Sequence, residues 1–183
     1  DLGIGVDFSF ADMMVNAGSF ENGSRDIDIA WSGAGQYKDI VTPLNMCMIT
    51  SAVANGGTMM EPKLLYSVVN SKGVNTYTMK SKVYSNAFSG NEADIIRDYM
   101  IGVVESGTGS KAAVSGYTVG GKTGTAQVSS NKSIDNTAWF TGFVYDDDHP
   151  LAVCVVLEDA GSGGKVAAPI ASKLFKKAIS LGY

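Results

Sequence analysis

The segment from Gly120 to Val128 constrains the fold of this 183-residue chain more than any other, because two different backbone structures are compatible with it. It reads Gly-Gly-Lys-Thr-Gly-Thr-Ala-Gln-Val, so that Lys122 stands alone among small and hydroxyl-bearing residues. Together with residues 116–119 it also fits the phosphate-loop pattern of Gly, four residues, then Gly-Lys-Thr. The segment is therefore either a strand or a loop that opens a helix.

The surrounding sequence favours the strand. A phosphate loop has to follow a buried strand and open a helix, because the helix N-terminus and the loop amides hold the phosphates. Gly124 and three β-branched residues follow Lys122, which is a poor sequence for a helix and a fair one for a strand. Upstream, residues 106–115 are rich in Gly, Ser and Lys rather than apolar. We therefore predict a strand over residues 118–128.

The composition is that of a globular domain, with 45% hydrophobic and 17% charged residues. The net charge of -4 and the absence of a basic run give no support for nucleic-acid binding. No apolar run is long enough to span a bilayer. The chain begins at Asp1, which suggests a processed or excised piece of a longer protein. Cys47 and Cys154 lack metal-site spacing and are predicted to be small buried hydrophobes.

The first half of the chain contains the signals for a helix and a hairpin. Thr42-Pro43 begins the helix, whose residues are apolar nearly all round and therefore predicted to be buried. Asn55-Gly56-Gly57 ends it. Lys63–Val69 and Val74–Met79 flank a polar turn and predict an exposed hairpin.

Two further helices are predicted from apolar residues at helical spacing. One starts at the Asn91-Glu92 cap and the other at Pro169. In the first, the residues predicted to face the core are Ile95, Ile96, Tyr99, Met100, Val103 and Val104. In the last helix the inward residues are Ile170, Ala171, Leu174, Phe175, Ala178 and Leu181, whereas Lys173, Lys176 and Lys177 point outward.

Thr137–Tyr145 and Leu151–Leu157 predict a second hairpin next to the Lys122 strand. Its acidic turn, Asp146–Pro150, contains the single histidine, His149, which we interpret as an exposed turn residue rather than a triad member or metal ligand. The predicted fold is α+β, an antiparallel sheet flanked by helices. We expect one domain, with an irregular start over residues 1–38, a helical part with a hairpin over 39–115, and sheet strands with the C-terminal helix over 116–183.

Several motifs in the right order resemble penicillin-binding transpeptidase domains of the serine β-lactamase superfamily. They are Gly33-Ala34-Gly35-Gln36, Val41–Met46 with Ala54–Gly57 and Pro62, Gly107-Thr108-Gly109 after Val103-Val104, Lys122-Thr123-Gly124-Thr125, and Ala138–Phe143. The resemblance runs from about residue 30 to the C-terminus. It implies the C-terminal portion of a β-lactamase-like fold.

The resemblance also implies a function. Family members cross-link peptidoglycan stem peptides at the extracytoplasmic face of the bacterial cell membrane, through a serine acyl-enzyme that β-lactams also form. By analogy Lys122 is catalytic and helps to polarise the site. Thr123, Gly124 and Thr125 bind substrate, and the Thr125 amide is one of two oxyanion donors. No cofactor or metal is expected.

The chain departs from the family pattern in two motifs. The family also needs Ser-x-x-Lys at the start of a helix, then Ser-x-Asn, both before Lys-Thr-Gly. The first pattern is matched by Ser129–Lys132 and Ser162–Lys165, and the second by Ser89–Asn91 and Ser129–Asn131. With 19 Ser and 12 Lys in the chain, however, about one Ser-x-x-Lys match is expected by chance. Both Ser-x-x-Lys matches also follow the Lys122 strand in loop-like sequence. We reject all four.

The chain is thus interpreted as the C-terminal part of one transpeptidase domain, inactive alone because the nucleophile lies upstream of Asp1. Its expected partners are stem peptides and β-lactams in the complete domain, the missing N-terminal part, and a second copy in a homodimer. Alternatives are a β-lactam sensor or β-lactamase relative, a non-catalytic domain with the same fold, and a phosphate-loop nucleotide-binding protein, which requires a helix after Lys122.

Overall fold

The computed structural model describes residues 1–10, 13–21, 23–36, 38–128 and 135–183. In chain order, the helices and strands in these ranges are β1 (Phe8–Phe10), β2 (Met13–Val15), α1 (Asp26–Gly33), α2 (Pro43–Ala54), β3 (Thr58–Met60), β4 (Ser67–Val69), β5 (Asn75–Thr78), β6 (Val83–Asn86), α3 (Gly90–Glu105), a 3₁₀ turn (Ser110–Ala112), β7 (Val119–Ala126), β8 (Thr137–Val144), β9 (Leu151–Leu157) and α4 (Gly163–Ser180). All strand pairs are antiparallel, so the predicted α+β class is confirmed.

The central sheet has the strand order β7-β8-β9. Lys122 on β7 lies opposite Thr141 on β8, and Thr141 lies opposite Cys154 on β9. The predicted strand around Lys122 and the second hairpin are therefore confirmed. The helix that a phosphate loop requires after Lys122 is replaced by strand up to Ala126, which contradicts the nucleotide-binding alternative.

Helices cover both faces of this sheet. Because side chains alternate along a strand, Phe140 and Thr141 point to opposite faces. Phe140 is fully buried in the main core with Phe175 of α4 and Val104 of α3. Thr141 faces α2, where its hydroxyl shares a 2.6 Å hydrogen bond with that of Thr50. The sheet is thus the middle layer of three.

Helix α2 has the predicted bounds and the predicted burial. Thr42 Oγ1 accepts a hydrogen bond from the amide of Asn45, and Asn45 Oδ1 accepts one from the amide of Thr42, which forms a capping box. Met48 and Ala52 face away from the central sheet into a second core with Phe8 and Met59. The helix therefore joins the sheet to the N-terminal strands.

Helices α3 and α4 begin earlier than predicted. Ser89, not Asn91, caps α3, because its hydroxyl accepts from the amide of Glu92 while the Glu92 carboxylate bonds back to Ser89. Helix α4 starts at Gly163, six residues before Pro169, which lies inside the helix. The low helix propensity of a glycine pair concealed this first turn.

Some predicted core positions are wrong. Ile95 and Tyr99 are exposed because α3 turns a different face inward, on which Ala93 and Val104 are buried. Leu174 in α4 is 48% exposed, and Leu181, just after it, 59%. The other predicted inward residues of both helices are at least half-buried, and the three predicted outward lysines of α4 are exposed.

The remaining elements are short. Strands β4 and β5 form the predicted hairpin but cover only Ser67–Val69 and Asn75–Thr78, and most of their residues are exposed. Helix α1 was not predicted, and it buries none of its residues. In the described part of the chain, no helix combines the length and hydropathy needed to cross a membrane.

Candidate active site

The Lys-Thr-Gly-Thr motif, residues 122–125, occupies the outer edge of the central sheet. Among the described residues β7 pairs only with β8, so its other edge stays open. Lys122 is exposed, and its ammonium donates a 2.7 Å hydrogen bond to the Thr123 carbonyl. Thr125 is exposed and Thr123 half-buried. The edge therefore presents one ammonium group and two hydroxyl groups.

Aromatic rings on both faces of the sheet fix the path of this strand. A Cβ at Gly120 would collide with the ring of Phe143, and one at Gly121 with the ring of Phe140. A Cβ at Gly124 would lie 3.0 Å from Cβ of Trp139, tighter than ordinary packing. The glycines before and inside the motif are required because the strand lies directly on these buried side chains.

The segment after α3 contacts the motif from one side. Thr108 Oγ1 and Thr123 Oγ1 share a 2.7 Å hydrogen bond. Thr108 was predicted only as part of the Gly-Thr-Gly motif, without a role in the site. The contact joins residues 15 positions apart across a turn, and the only sequence signal was the flexible Gly-Thr-Gly pattern.

The first turn of α4 contacts the same strand. The Gly163 amide donates to Thr125 Oγ1 at 3.4 Å. A Cβ at Gly163 would collide with the carbonyl oxygens of Trp139 and Gly124, and a Cβ at Gly164 with that of Thr108. Neither glycine was a predicted site residue. Their backbone approach can be inferred only once the helix is known to start there.

On the opposite face, the Thr50–Thr141 hydrogen bond supports the strand that pairs with Lys122. Thr50 and Thr141 are 2% and 6% exposed, so the hydrogen bond lies away from water. Thr141 Oγ1 also approaches the carbonyl oxygens of Met46, at 3.4 Å, and Val153, at 3.3 Å. These contacts hold α2 against the sheet directly behind the motif.

The segments that match the serine motifs have different positions in the structure. Ser89 is the N-cap of α3, and its hydroxyl accepts a hydrogen bond from the Glu92 amide. Residues 129–132 lie outside the described residues. The prediction that Ser162–Lys165 is loop-like is wrong, since Ser162 is the N-cap of α4 and Lys165 lies in its first turn. Ser162–Lys165 still does not match the nucleophile motif, because in the family that motif precedes Lys-Thr-Gly and this segment follows the Lys122 strand.

His149 and the cysteines lie away from the motif edge. His149 is half-buried rather than exposed, with Nδ1 3.0 Å from Asp146 Oδ1, and this hydrogen bond lowers the pKa of Asp146. Cys47 and Cys154 are half-buried between α2 and β9. Burial raises the pKa of both thiols, that of Cys154 to about 12. The described residues hold no cluster of three metal-binding side chains.

Comparison with known proteins gives one consistent family. The model of the penicillin binding protein transpeptidase domain matches residues 1–176. Stage V sporulation protein D of Bacillus subtilis is 35% identical over 147 residues, 76% of this chain and 23% of that protein. Peptidoglycan D,D-transpeptidase MrdA of Haemophilus influenzae is 31% identical over 78% of this chain and 24% of that protein.

Solved structures agree with the sequence comparisons. The D,D-transpeptidase domain of a peptidoglycan glycosyltransferase from Eggerthella lenta has a TM-score of 0.83 and 28% identity, over 98% of this chain and 46% of that one. Penicillin-binding protein A from M. tuberculosis, in a ceftriaxone acyl-enzyme complex, has a TM-score of 0.89 and 25% identity, over 97% and 41%. The chain spans about a quarter of the length of the two curated relatives named above.

Proposed function

Because the chain belongs to the penicillin-binding protein transpeptidase family, we propose that it is part of a peptidoglycan D,D-transpeptidase. In this proposal the complete protein cross-links stem peptides through a serine acyl-enzyme, and β-lactams acylate the same serine. The observation that carries the proposal is the exposed Lys122–Thr125 edge, whose ammonium bonds to the Thr123 carbonyl and whose two hydroxyl groups are held by Thr108 and by the Gly163 amide. Relatives named as D,D-transpeptidases and acyl-enzyme complexes of a structural neighbour support it.

Each motif residue has a role that fits its position. The Lys122 ammonium supplies positive charge for a substrate carboxylate and favours loss of a nearby hydroxyl proton. The Thr123 and Thr125 hydroxyls donate hydrogen bonds to that carboxylate. Gly124 leaves room for the substrate backbone to lie along the open edge. The Thr125 amide is one of two donors to the oxyanion that forms when the serine attacks.

The reaction proceeds in two acyl transfers. The serine oxygen attacks the carbonyl carbon of the D-Ala-D-Ala amide bond, and the tetrahedral intermediate breaks the C–N bond as the terminal D-Ala leaves with a proton. An amine from a second stem peptide then attacks the ester and releases the serine. This chain contributes oxyanion stabilisation to both steps and carboxylate binding to the first, while the serine and its base belong to another part of the protein.

The remaining assignments follow from this proposal. Residues 1–183 form the C-terminal part of a single transpeptidase domain, and the preceding part of the same protein completes the site. The chain alone forms no acyl-enzyme. Peptidoglycan synthesis places the protein at the bacterial cell envelope, and its substrates require the extracytoplasmic face of the membrane.

The test is penicillin labelling read by intact mass, on the full-length protein and on the 183-residue chain. We expect one β-lactam adduct on the full-length protein and none on the chain. Lys122→Met should lower the acylation rate by about 100-fold or more, as loss of a single group that stabilises the transition state does. Lys173→Met, which removes an exposed lysine from the outward face of α4, is the matched control and should acylate normally.

Peptide mapping of the adduct completes the experiment. A label on a serine outside residues 1–183 would support the proposal that the nucleophile belongs to another part of the protein. A label on Ser162 would identify that residue as the nucleophile and refute this proposal. An unlabelled full-length protein would contradict the proposed function itself.

A further inference from the structure

The loop that contains Thr108 is rigid despite its two glycines. The amides of Gly107 and Gly109 both donate to the Val103 carbonyl, at 3.1 and 3.0 Å, which fixes the chain at the end of α3. A Cβ at Gly109 would lie 3.1 Å from Cγ1 of Val103, so the loop also packs tightly on the helix. The backbone of Thr108 therefore has a defined place relative to the core.

The first turn of α4 holds the same residue from the other side. Gly164 approaches so closely that an added Cβ would collide with the Thr108 carbonyl oxygen and lie 3.7 Å from Cγ2 of Thr123. The Thr108 side chain, in contrast, is exposed, and its hydroxyl reaches Thr123 Oγ1 at 2.7 Å. The backbone of Thr108 is thus fixed, while its solvent-exposed hydroxyl contacts the motif at Thr123.

From this geometry we infer that Thr108 is a positioning residue of the transpeptidase site, which orients the Thr123 hydroxyl toward the substrate carboxylate. The inference rests on the proposed function. A hydroxyl has one proton to donate and can accept from another donor. When Thr108 donates to Thr123 Oγ1, the Thr123 proton is free for the carboxylate, and the two hydrogen bonds strengthen each other.

Without Thr108, the Thr123 side chain loses the contact that selects its rotamer. Its hydroxyl can then turn to solvent or to a neighbouring carbonyl oxygen, and the substrate must reorient it on binding. Because the hydrogen bond between Thr108 and Thr123 is solvent-exposed, water can replace the lost hydroxyl as the partner of Thr123 Oγ1. The expected effect is therefore on acylation rather than on folding.

The test is a double-mutant cycle on the full-length protein, measured as the second-order rate constant of acylation by benzylpenicillin. Thr108→Val keeps the shape of the side chain and should lower this constant by about two- to tenfold, as one lost hydrogen bond does. Thr108→Ser keeps the hydroxyl and should retain most of the rate. Thr76→Val, on the exposed hairpin, is the matched control and should leave it unchanged.

The cycle separates positioning from a merely structural role. In a Thr123→Val background, Thr108→Val should have no further effect, because the group through which it acts is gone. An equal loss in both backgrounds, or an unchanged rate in the single variant, would overturn the inference while leaving the proposed function intact. Failure of the unmodified protein to acylate would instead refute the proposed function, and the inference with it.

Discussion

Gly90 and Gly163 occupy equivalent helix positions, yet replacement by alanine is expected to stabilise the protein at Gly90 and to destabilise it at Gly163. Each is the first residue of its helix, after a serine N-cap, and neither has a positive φ. A Cβ at Gly90 meets nothing within 4 Å, whereas a Cβ at Gly163 collides with the main-chain oxygens of Trp139 and Gly124. Alanine should therefore fit at one position and not at the other.

The magnitudes follow from these surroundings. Overpacking costs about 1–3 kcal/mol, and because main-chain oxygens cannot rotate away, we expect about 2–3 kcal/mol for Gly163→Ala. Gly90→Ala restricts the unfolded chain and should stabilise by about 0.5–1 kcal/mol. At roughly 2–4 °C per kcal/mol for a chain of this size, the melting temperature should fall by about 4–12 °C in the first variant and rise by about 1–4 °C in the second.

Calorimetric melting of the two variants and the parent chain, at one concentration and pH, measures the difference directly. A change of less than about 1 °C for Gly163→Ala, or an equal fall for Gly90→Ala, would refute the reasoning. The first outcome would mean that α4 can move away from the motif strand at little cost. The second would mean that glycine at this helix position matters for a reason other than the space around it.

Three further predictions concern the interface between α2 and the sheet. Thr141→Val should destabilise the protein by about 1–2 kcal/mol because it leaves the buried Thr50 hydroxyl without its 2.6 Å partner. The double variant with Thr50→Val should lose less stability than the sum of the two single variants. Additive free energies of unfolding in urea would contradict this coupling. Burial raises the pKa of Cys154 from 9.0 to about 12, so its thiol should react with disulfide reagents much more slowly than an unfolded cysteine at pH 8. The same shift stabilises the fold below pH 9.0, and this contribution should be lost as the pH rises toward 12; a Cys154→Ala variant with an identical alkaline unfolding profile would exclude it.

Local chemistry predicted the elements whose signals lie within a few residues. Thr42-Pro43 marked the start of α2 because capping and a fixed φ act on adjacent residues, and two apolar runs on either side of a polar turn marked the two strands after the motif. The same local argument distinguished the strand at Lys122 from a phosphate loop. Each of these predictions depended on interactions that the sequence shows directly.

Predictions failed where a distant contact sets the structure. Ile95 and Tyr99 have helical spacing, but the rotation of α3 about its axis is decided by what packs against it. Gly163-Gly164 resembles a loop by propensity, yet both residues are helical. Glycine is required at these positions because the neighbouring main-chain oxygens leave no space for a Cβ. The role of Thr108 was missed for the same reason, since its partner becomes a neighbour only in the folded chain.

The contact between α4 and the motif strand also sets an order of events during synthesis. The strand leaves the ribosome well before residues 163–164, yet its edge is fixed only after the first turn of that helix has formed. Until then the Phe140 ring next to the strand lacks its cover from α4, and the nascent chain exposes apolar surface next to an open strand edge. We therefore expect the motif edge, to which we assign the proposed acyl-transfer role, to be among the last regions to become ordered, and a chaperone that shields that edge would act in this interval.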